Sequence, residues 1–306
     1  MIDRKLFRLR LPSGTLVLGK RTLVMGVLNV TPDSFSDGGK FLDPEPAIEH
    51  ALQMEQAGAD LIDMGGESTR PGSGGTPGEA ELTRILPVLA GLRGVLGIPI
   101  SIDTQKADVA EAALAAGAEM INDISGLKTD PRIARVAARH GVPLILMHMR
   151  GKPGTMQKGP FARDVVRDVT EGLQVSIEKA RKAGVPQSQI VVDPGIGFGK
   201  NFRQNYQLLQ ELPELAKLGY PLLVGTSRKG FLGATLARHG DPAPPEQRLW
   251  ATAATVTASI LGGAHIVRVH DAAEMVEVAR VADQLLAPHR ARPAQKSRPG
   301  TSPKKH

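Results

Sequence analysis

The sequence predicts a (β/α)8 barrel of the TIM-barrel class, an α/β fold with a closed parallel sheet, and three observations carry that expectation. A short apolar run bounded by glycine and polar residues recurs eight times, as strands buried on both faces require. Helix-forming sequence follows every run between Arg21 and Ala287, and parallel strands need such crossovers. No G-x-G-x-x-G follows the first run, which weighs against an open doubly wound sheet.

Taken in order, residues 4–19 come before the barrel. They alternate Leu6, Arg8 and Arg10 with Phe7, Leu9 and Leu11, turn at Pro12-Ser13-Gly14, and resume with Leu16-Val17-Leu18. That is a β-hairpin pattern, expected to plug the N-terminal end of the barrel. Leu23 to Leu28 forms the first barrel strand and runs into Asn29 and a polar, Gly-rich loop, N-V-T-P-D-S-F-S-D-G-G. The later strands share one join, in which a helical segment meets a glycine and then an apolar run. It begins at Ala57, Leu96, Ala116, His140, Leu218 and Gly262, with a related form, A-G-V-P-Q-S-Q-I-V-V-D-P, at Ala183. Glycine there can take the left-handed conformation that ends a helix. Ala251 to Gly263 is apolar almost throughout, so as a helix it is expected to be buried all round or to form a subunit interface. Residues 1–287 read as a single domain. Pro288 to His306, rich in Pro, Ser and Lys, reads as a disordered basic tail.

Composition narrows the function classes. Of a net charge of +7, six units lie on Arg290, Arg292, Lys296, Arg298, Lys304 and Lys305 in that tail, so the rest of the chain has no basic excess that calls for nucleic acid. The absence of cysteine excludes disulfide scaffolds and thiolate metal sites. There is no signal-peptide apolar region and no run of membrane-spanning length, so a cytoplasmic protein without membrane partners is expected.

Barrel enzymes collect their chemistry at the C-terminal ends of the strands. The residues expected there are Asn29, Asp63, Asp103, Asn122, Met147-His148, Asp193, Gly225-Thr226 and Arg268. Any one of them could merely cap the following helix, but three aspartates and two asparagines at one face of a barrel favour a binding site. The loops add to this. G-G-E-S-T-R-P-G-S-G-G-T-P-G, Gly65 to Gly78, surrounds Arg70 with glycines, as a lid over an anion would. D-P-G-I-G-F-G-K, from Asp193 to Lys200, gives a flat ring room to approach the backbone. T-S-R-K-G-F and R-V-H-D follow the last two strands, where this architecture commonly binds phosphate, and Ser227, Arg228, Lys229, Arg268 and His270 supply donors there.

With S-I-D-T and I-N-D-I-S-G, these segments stand in register from about Leu23 to Asp271, and together they resemble the bacterial dihydropteroate synthase family of pterin-binding barrels. The resemblance implies a homodimeric enzyme that joins 6-hydroxymethyl-dihydropterin pyrophosphate to p-aminobenzoate and releases pyrophosphate. It implies a pterin site of Asp103, Asn122, Met147, Asp193, Phe198 and Lys229. Pyrophosphate would fall to Asn29, Thr69, Arg70, Arg268 and His270, with Mg²⁺ held through Asn29. Phe35, Thr69, Arg70, Pro71 and Ser227 would surround p-aminobenzoate, and Asp37, Asp103 and Lys229 would act in catalysis. Pyrophosphate leaves readily, so a dissociative, SN1-like step follows, helped by the negative charge of Asp103 and Asp37. The family pattern leads one to expect serine at Gly230. Other classes remain open at this point. They are a pterin-binding paralogue without turnover, the methyl-tetrahydrofolate-binding barrel of corrinoid methyltransferases, and a Schiff-base aldolase using Lys229.

Overall fold

The computed structural model describes residues 4–31, 43–68, 75–151, 154, 156, 159 and 161–286. Two antiparallel strands, β1 (Phe7–Leu11) and β2 (Gly14–Leu18), form the expected hairpin. Eight parallel strands follow: β3 (Leu23–Asn29), β4 (Leu61–Gly65), β5 (Ile100–Asp103), β6 (Met120–Asp123), β7 (Leu144–Met147), β8 (Ile190–Asp193), β9 (Leu223–Val224) and β10 (Ile266–Val269). Their spatial order is β8-β7-β6-β5-β4-β3-β10-β9, and a parallel bridge between Val192 and Leu222 joins the two ends. The sheet is therefore a closed barrel. The helices around it are α1 (Glu45–Gln56), α2 (Gly78–Leu92), α3 (Ala107–Ala115), α4 (Arg132–His140), α5 (Val165–Lys182), α6 (Phe202–Gln210), α7 (Leu212–Ala216), α8 (Gly230–Thr235), α9 (Leu249–Leu261) and α10 (Ala272–Leu286). None of these described helices is long and apolar enough to cross a membrane.

The glycine joins behave as expected with one exception. Gly58, Gly117, Gly141, Gly184, Gly219 and Gly263 all have positive φ, but Gly97 does not, and Gly94 at φ +78° takes its place after α2. The strands also end later than expected in places. β4 continues to Gly65 and β6 to Asp123, so Asp63 and Asn122 lie inside their strands, and β10 likewise runs one residue past Arg268.

Alternation along the strands divides the core in two. Residues such as Ile62, Ile102, Ile121, Leu144, Leu146, Val192 and Val267 face the helices. Leu23, Met25, Leu61, Met120, Ile145, Val191, Leu223 and Ile266 face the axis and pack on Leu9, Leu11 and Leu18 of the hairpin. The hairpin thus plugs the N-terminal end, as expected. Leu9 is wholly buried there. Leu9→Ala is expected to lower unfolding stability by about 2–5 kcal/mol in urea denaturation, with the active end of the barrel untouched.

Of the two alternatives expected for α9, burial all round does not hold, because only Thr252, Thr255, Val256, Ser259 and Ile260 turn inward while Trp250 stays 81% exposed. The apolar sequence here covers an outward face as well as a core face. Residues 288–306, read above as a tail, lie outside the described residues.

Candidate active site

The inner file of each strand changes character on the way up. Two residues beyond the apolar floor, Leu61 gives way to Asp63, Met120 to Asn122, Ile145 to Met147, Val191 to Asp193 and Ile266 to Arg268, while Ser101 leads to Asp103 on β5. Period-two geometry keeps all of these on the axis side. The polar layer rests directly on an apolar plug.

Three strands are tied together there by one arginine. Arg268 Nε donates to Asp63 Oδ2 at 2.6 Å, and its Nη2 donates to Asp103 Oδ2 at 2.9 Å. Asn122 Nδ2 donates to the same Asp63 oxygen at 2.9 Å. Burial, together with the neighbouring Asp63, pushes Asp103 up to about 8 despite the pull of Arg268. The sequence marks Asp63 as a strand-end carboxylate without indicating a role for it. It is wholly buried and orients two site residues at once.

Asp193 sits apart from this triad. Its Oδ1 accepts from Gly195 N at 2.7 Å, and no described donor takes its other oxygen. Burial raises it to about 6, against the Gly195 hydrogen bond and the positive charges of Lys229, Lys200 and Arg268. Asn122 Oδ1 is also buried without a hydrogen-bond partner among the described residues. Met147 joins Ile124, Met149 and Met156 in a small apolar cluster with Phe198 packed against it. Lys229, the residue before α8, holds its ammonium 4.0 Å from the centre of the Phe198 ring, and burial lowers it to about 8. Glycine is required at Gly197, where φ is +86° and a Cβ would come within 3.0 Å of Lys229 Cδ.

On the other side of the mouth, His270 Nδ1 lies 3.0 Å from Ser227 Oγ, which also accepts from His270 N at 3.1 Å. The hydroxyl can then donate to Nδ1, leaving the His270 Nε2–H for a ligand. Burial and the nearby Arg268 lower His270 to about 3, so it is a neutral donor and not a cation. The structure brings Ser227 and His270 together, although the resemblance assigned them to different substrates. Arg228, expected among the phosphate donors, is instead committed to Asp271 in a bidentate pair. Gly230 has nothing within 4 Å of an added Cβ, so its departure from serine leaves the local packing unaffected.

Two polar residues at this end of the barrel are structural. Asp123 turns away from the axis and caps its own loop by accepting from Ser125 N and Leu127 N at 2.8 and 2.7 Å. Lys200 is a buried peg. Its ammonium donates to the carbonyls of His148, Pro194 and Gly195, each at 2.9 Å, which pins the loop after β8 to the end of β7. His148 follows Met147 but packs against Gly172 of α5 rather than entering the site. Asn29 ends β3 beside Gly65, half-buried. Phe35, Asp37, Thr69, Arg70 and Pro71 lie outside the described residues.

Known proteins share this architecture. A family profile described as pterin binding enzyme matches residues 25–270. A dihydropteroate synthase of Synechocystis sp. is 51% identical over 267 residues, covering 87% of this chain and 91% of that protein. Among solved structures, the Xanthomonas albilineans dihydropteroate synthase with 4-aminobenzoic acid has a TM-score of 0.85 at 42% identity, covering 93% of this chain and 100% of that one. A second structure from that organism, in complex with 7,8-dihydropteroate, gives 0.81 at 40% identity, covering 92% and 99%.

Proposed function

The chain belongs to the pterin binding enzyme family, and from that membership we infer how its barrel mouth performs the dihydropteroate synthase reaction. The protein is a transferase that condenses 6-hydroxymethyl-7,8-dihydropterin pyrophosphate with p-aminobenzoate, giving 7,8-dihydropteroate and pyrophosphate. The observation that supports this most is the Asp193 carboxylate, buried at the top of an apolar shaft with one oxygen that no described donor takes. A flat ring with a guanidine-like edge brings two donors to such an acceptor. Asn122 Oδ1 can accept a further ring N–H, and Met147 and Phe198 pack against the ring faces.

Arg268 uses two of its five N–H groups on Asp63 and Asp103, so three remain to clamp a diphosphate, with His270 Nε2–H beside them. The protein needs no nucleophile. Fixed donors stabilise the leaving group as the C–O bond breaks, and the cationic carbon that forms is captured by the aniline nitrogen. Asp63, wholly buried, holds Arg268 and Asn122 in place for that step. Burial and Asp63 raise Asp103 to about 8 with Arg268 already beside it, so near neutral pH it adds little negative charge of its own. Lys229 lies across the ring from these carboxylates.

Mg²⁺ suits the residues present. Among the described residues there is no cluster of His, Asp or Glu that could hold a metal alone. Asn29 offers a carboxamide oxygen with no described hydrogen bond, which fits a hard cation that keeps waters and borrows phosphate oxygens. Such an ion would neutralise charge on the departing diphosphate. The partner that fits the outward face of α9 and α10 is a second copy of this chain. Trp250, Leu261, Val281 and Leu285 are exposed apolar side chains there, more than a monomer surface needs. Trp250→Glu is expected to shift the molecule from dimer to monomer in light scattering.

Pyrophosphate release, followed with and without p-aminobenzoate and with Mg²⁺ chelated, tests the whole assignment. Release that needs the aniline and the metal supports it, and pterin binding without any turnover would overturn it. A pH dependence is also expected. Asp193 offers a second acceptor oxygen, beside the one held by Gly195 N, only as a carboxylate, and protonation below about 6 turns that oxygen into an O–H donor. Pterin affinity by calorimetry should hold at neutral pH and fall about tenfold per pH unit below that point. A flat profile through pH 5 would place the recognition on another group.

A further inference from the structure

Lys106 has no part in the chemistry above, yet its ammonium joins two carboxylates at the mouth of the barrel. Lys106 Nζ donates to Glu67 Oε2 at 2.5 Å and to Glu81 Oε2 at 2.7 Å. The other Glu67 oxygen accepts from Thr76 N at 3.0 Å, so one side chain spans the two stems of the loop that leaves β4. Glu81 lies in the first turn of α2 with its side chain wholly buried. That helix sits directly on the strand end, because a Cβ at Gly66 would meet Ile85 at 2.9 Å and Glu81 at 3.0 Å. Arg84 Nη1 fixes the same stem by donating to Gly66 O at 2.6 Å. Lys106 itself comes three residues after Asp103, held by a 3.3 Å hydrogen bond from its N–H to Thr104 Oγ1.

Three elements therefore meet at one ammonium: the β4 loop, α2, and the loop that follows Asp103 at the end of β5. A solvated ion pair would add little, but buried Glu81 has no other cation to offset its charge among these contacts. We propose that Lys106 is a positioning residue, fixing the stems Glu67 and Thr76, and with them the aminobenzoate side of the site, relative to Asp103. The proposal rests on the function given above and on the family resemblance, which assigns Thr69, Arg70 and Pro71, between those stems in sequence, to p-aminobenzoate. A displacement of about 1 Å at such a support can cost up to about a hundredfold in the reaction it serves.

Steady-state pyrophosphate release and calorimetric pterin binding test this with Lys106→Met, Glu67→Gln and Lys106→Arg. Lys106→Met and Glu67→Gln should raise KM for p-aminobenzoate about tenfold, with the pterin pyrophosphate Kd within about twofold of wild type. Lys106→Arg should recover most of the loss, because a guanidinium can still serve both carboxylates. An unchanged aminobenzoate KM in both variants would overturn the proposal, and so would equal losses for both substrates. If Lys106→Met does not fold, Glu67→Gln decides alone. Failure of the wild-type protein to release pyrophosphate would count against the proposed function instead.

Discussion

Asp193→Asn is expected to lose pterin affinity by about 2–4 kcal/mol, roughly thirty- to a thousandfold in Kd, while the fold stays intact. The amide would present an NH₂ group to a ring edge that brings only donors, in a site too buried for water to relieve the mismatch. The asparagine carbonyl can still accept from Gly195 N, so the loop after β8 keeps its anchor. Stability should move the other way. The folded protein raises Asp193 to about 6, so the stability this group contributes is complete below the usual carboxylate range and lost as pH rises through 6. At neutral pH the variant escapes that cost, and its melting temperature should equal or exceed that of wild type. Near-normal pterin binding by calorimetry would show that Asp193 does not read the ring.

Asp63→Ala should be the most damaging change in the barrel, lowering stability by about 3–5 kcal/mol and reducing kcat/KM by about a hundredfold or more. Asp63 is wholly buried, and its Oδ2 accepts from both Arg268 and Asn122. Without it a buried guanidinium loses its shorter hydrogen bond and an amide loses its anchor. Asp63→Asn separates the two effects, since it retains the volume and one acceptor. It should recover most of the stability in urea titration but little of the turnover. Equal recovery of both would mean that Asp63 merely fills space.

The positions of the strands were legible because parallel strands buried on both faces leave uninterrupted apolar runs, and because glycines mark where each helix stops. Asp103, Asn122, Asp193 and Arg268 could be found for the same reason, as polar residues interrupting those runs near their upper ends. Depth was harder to read. In L-I-D-M the sequence shows a carboxylate but not that β4 continues to Gly65, which sinks Asp63 beneath the mouth. In M-I-N-D two polar residues stand side by side, and only the phase set by Met120 sends Asn122 inward and Asp123 out. Partnerships across distance were invisible. Arg268 and Asp63 are 205 residues apart, and Lys106 meets Glu67 across 39, so no local pattern announces either pair.

The hairpin seal has a consequence for traffic. With Leu9, Leu11 and Leu18 closing the lower end, the barrel is a blind shaft that opens only at the top. Whatever occupies Asp193 and Asn122 entered past Arg268 and His270 and must depart the same way. On the function proposed above, the pterin is therefore expected to enter first. Once condensed with the aniline it is also last out, because the product's bulky end stands between the ring and solvent. Pyrophosphate, released nearer the rim, can leave ahead of it. Product escape, with one exit for a molecule longer than either precursor, is then the step expected to be slow, which a burst of product in the first turnover would reveal.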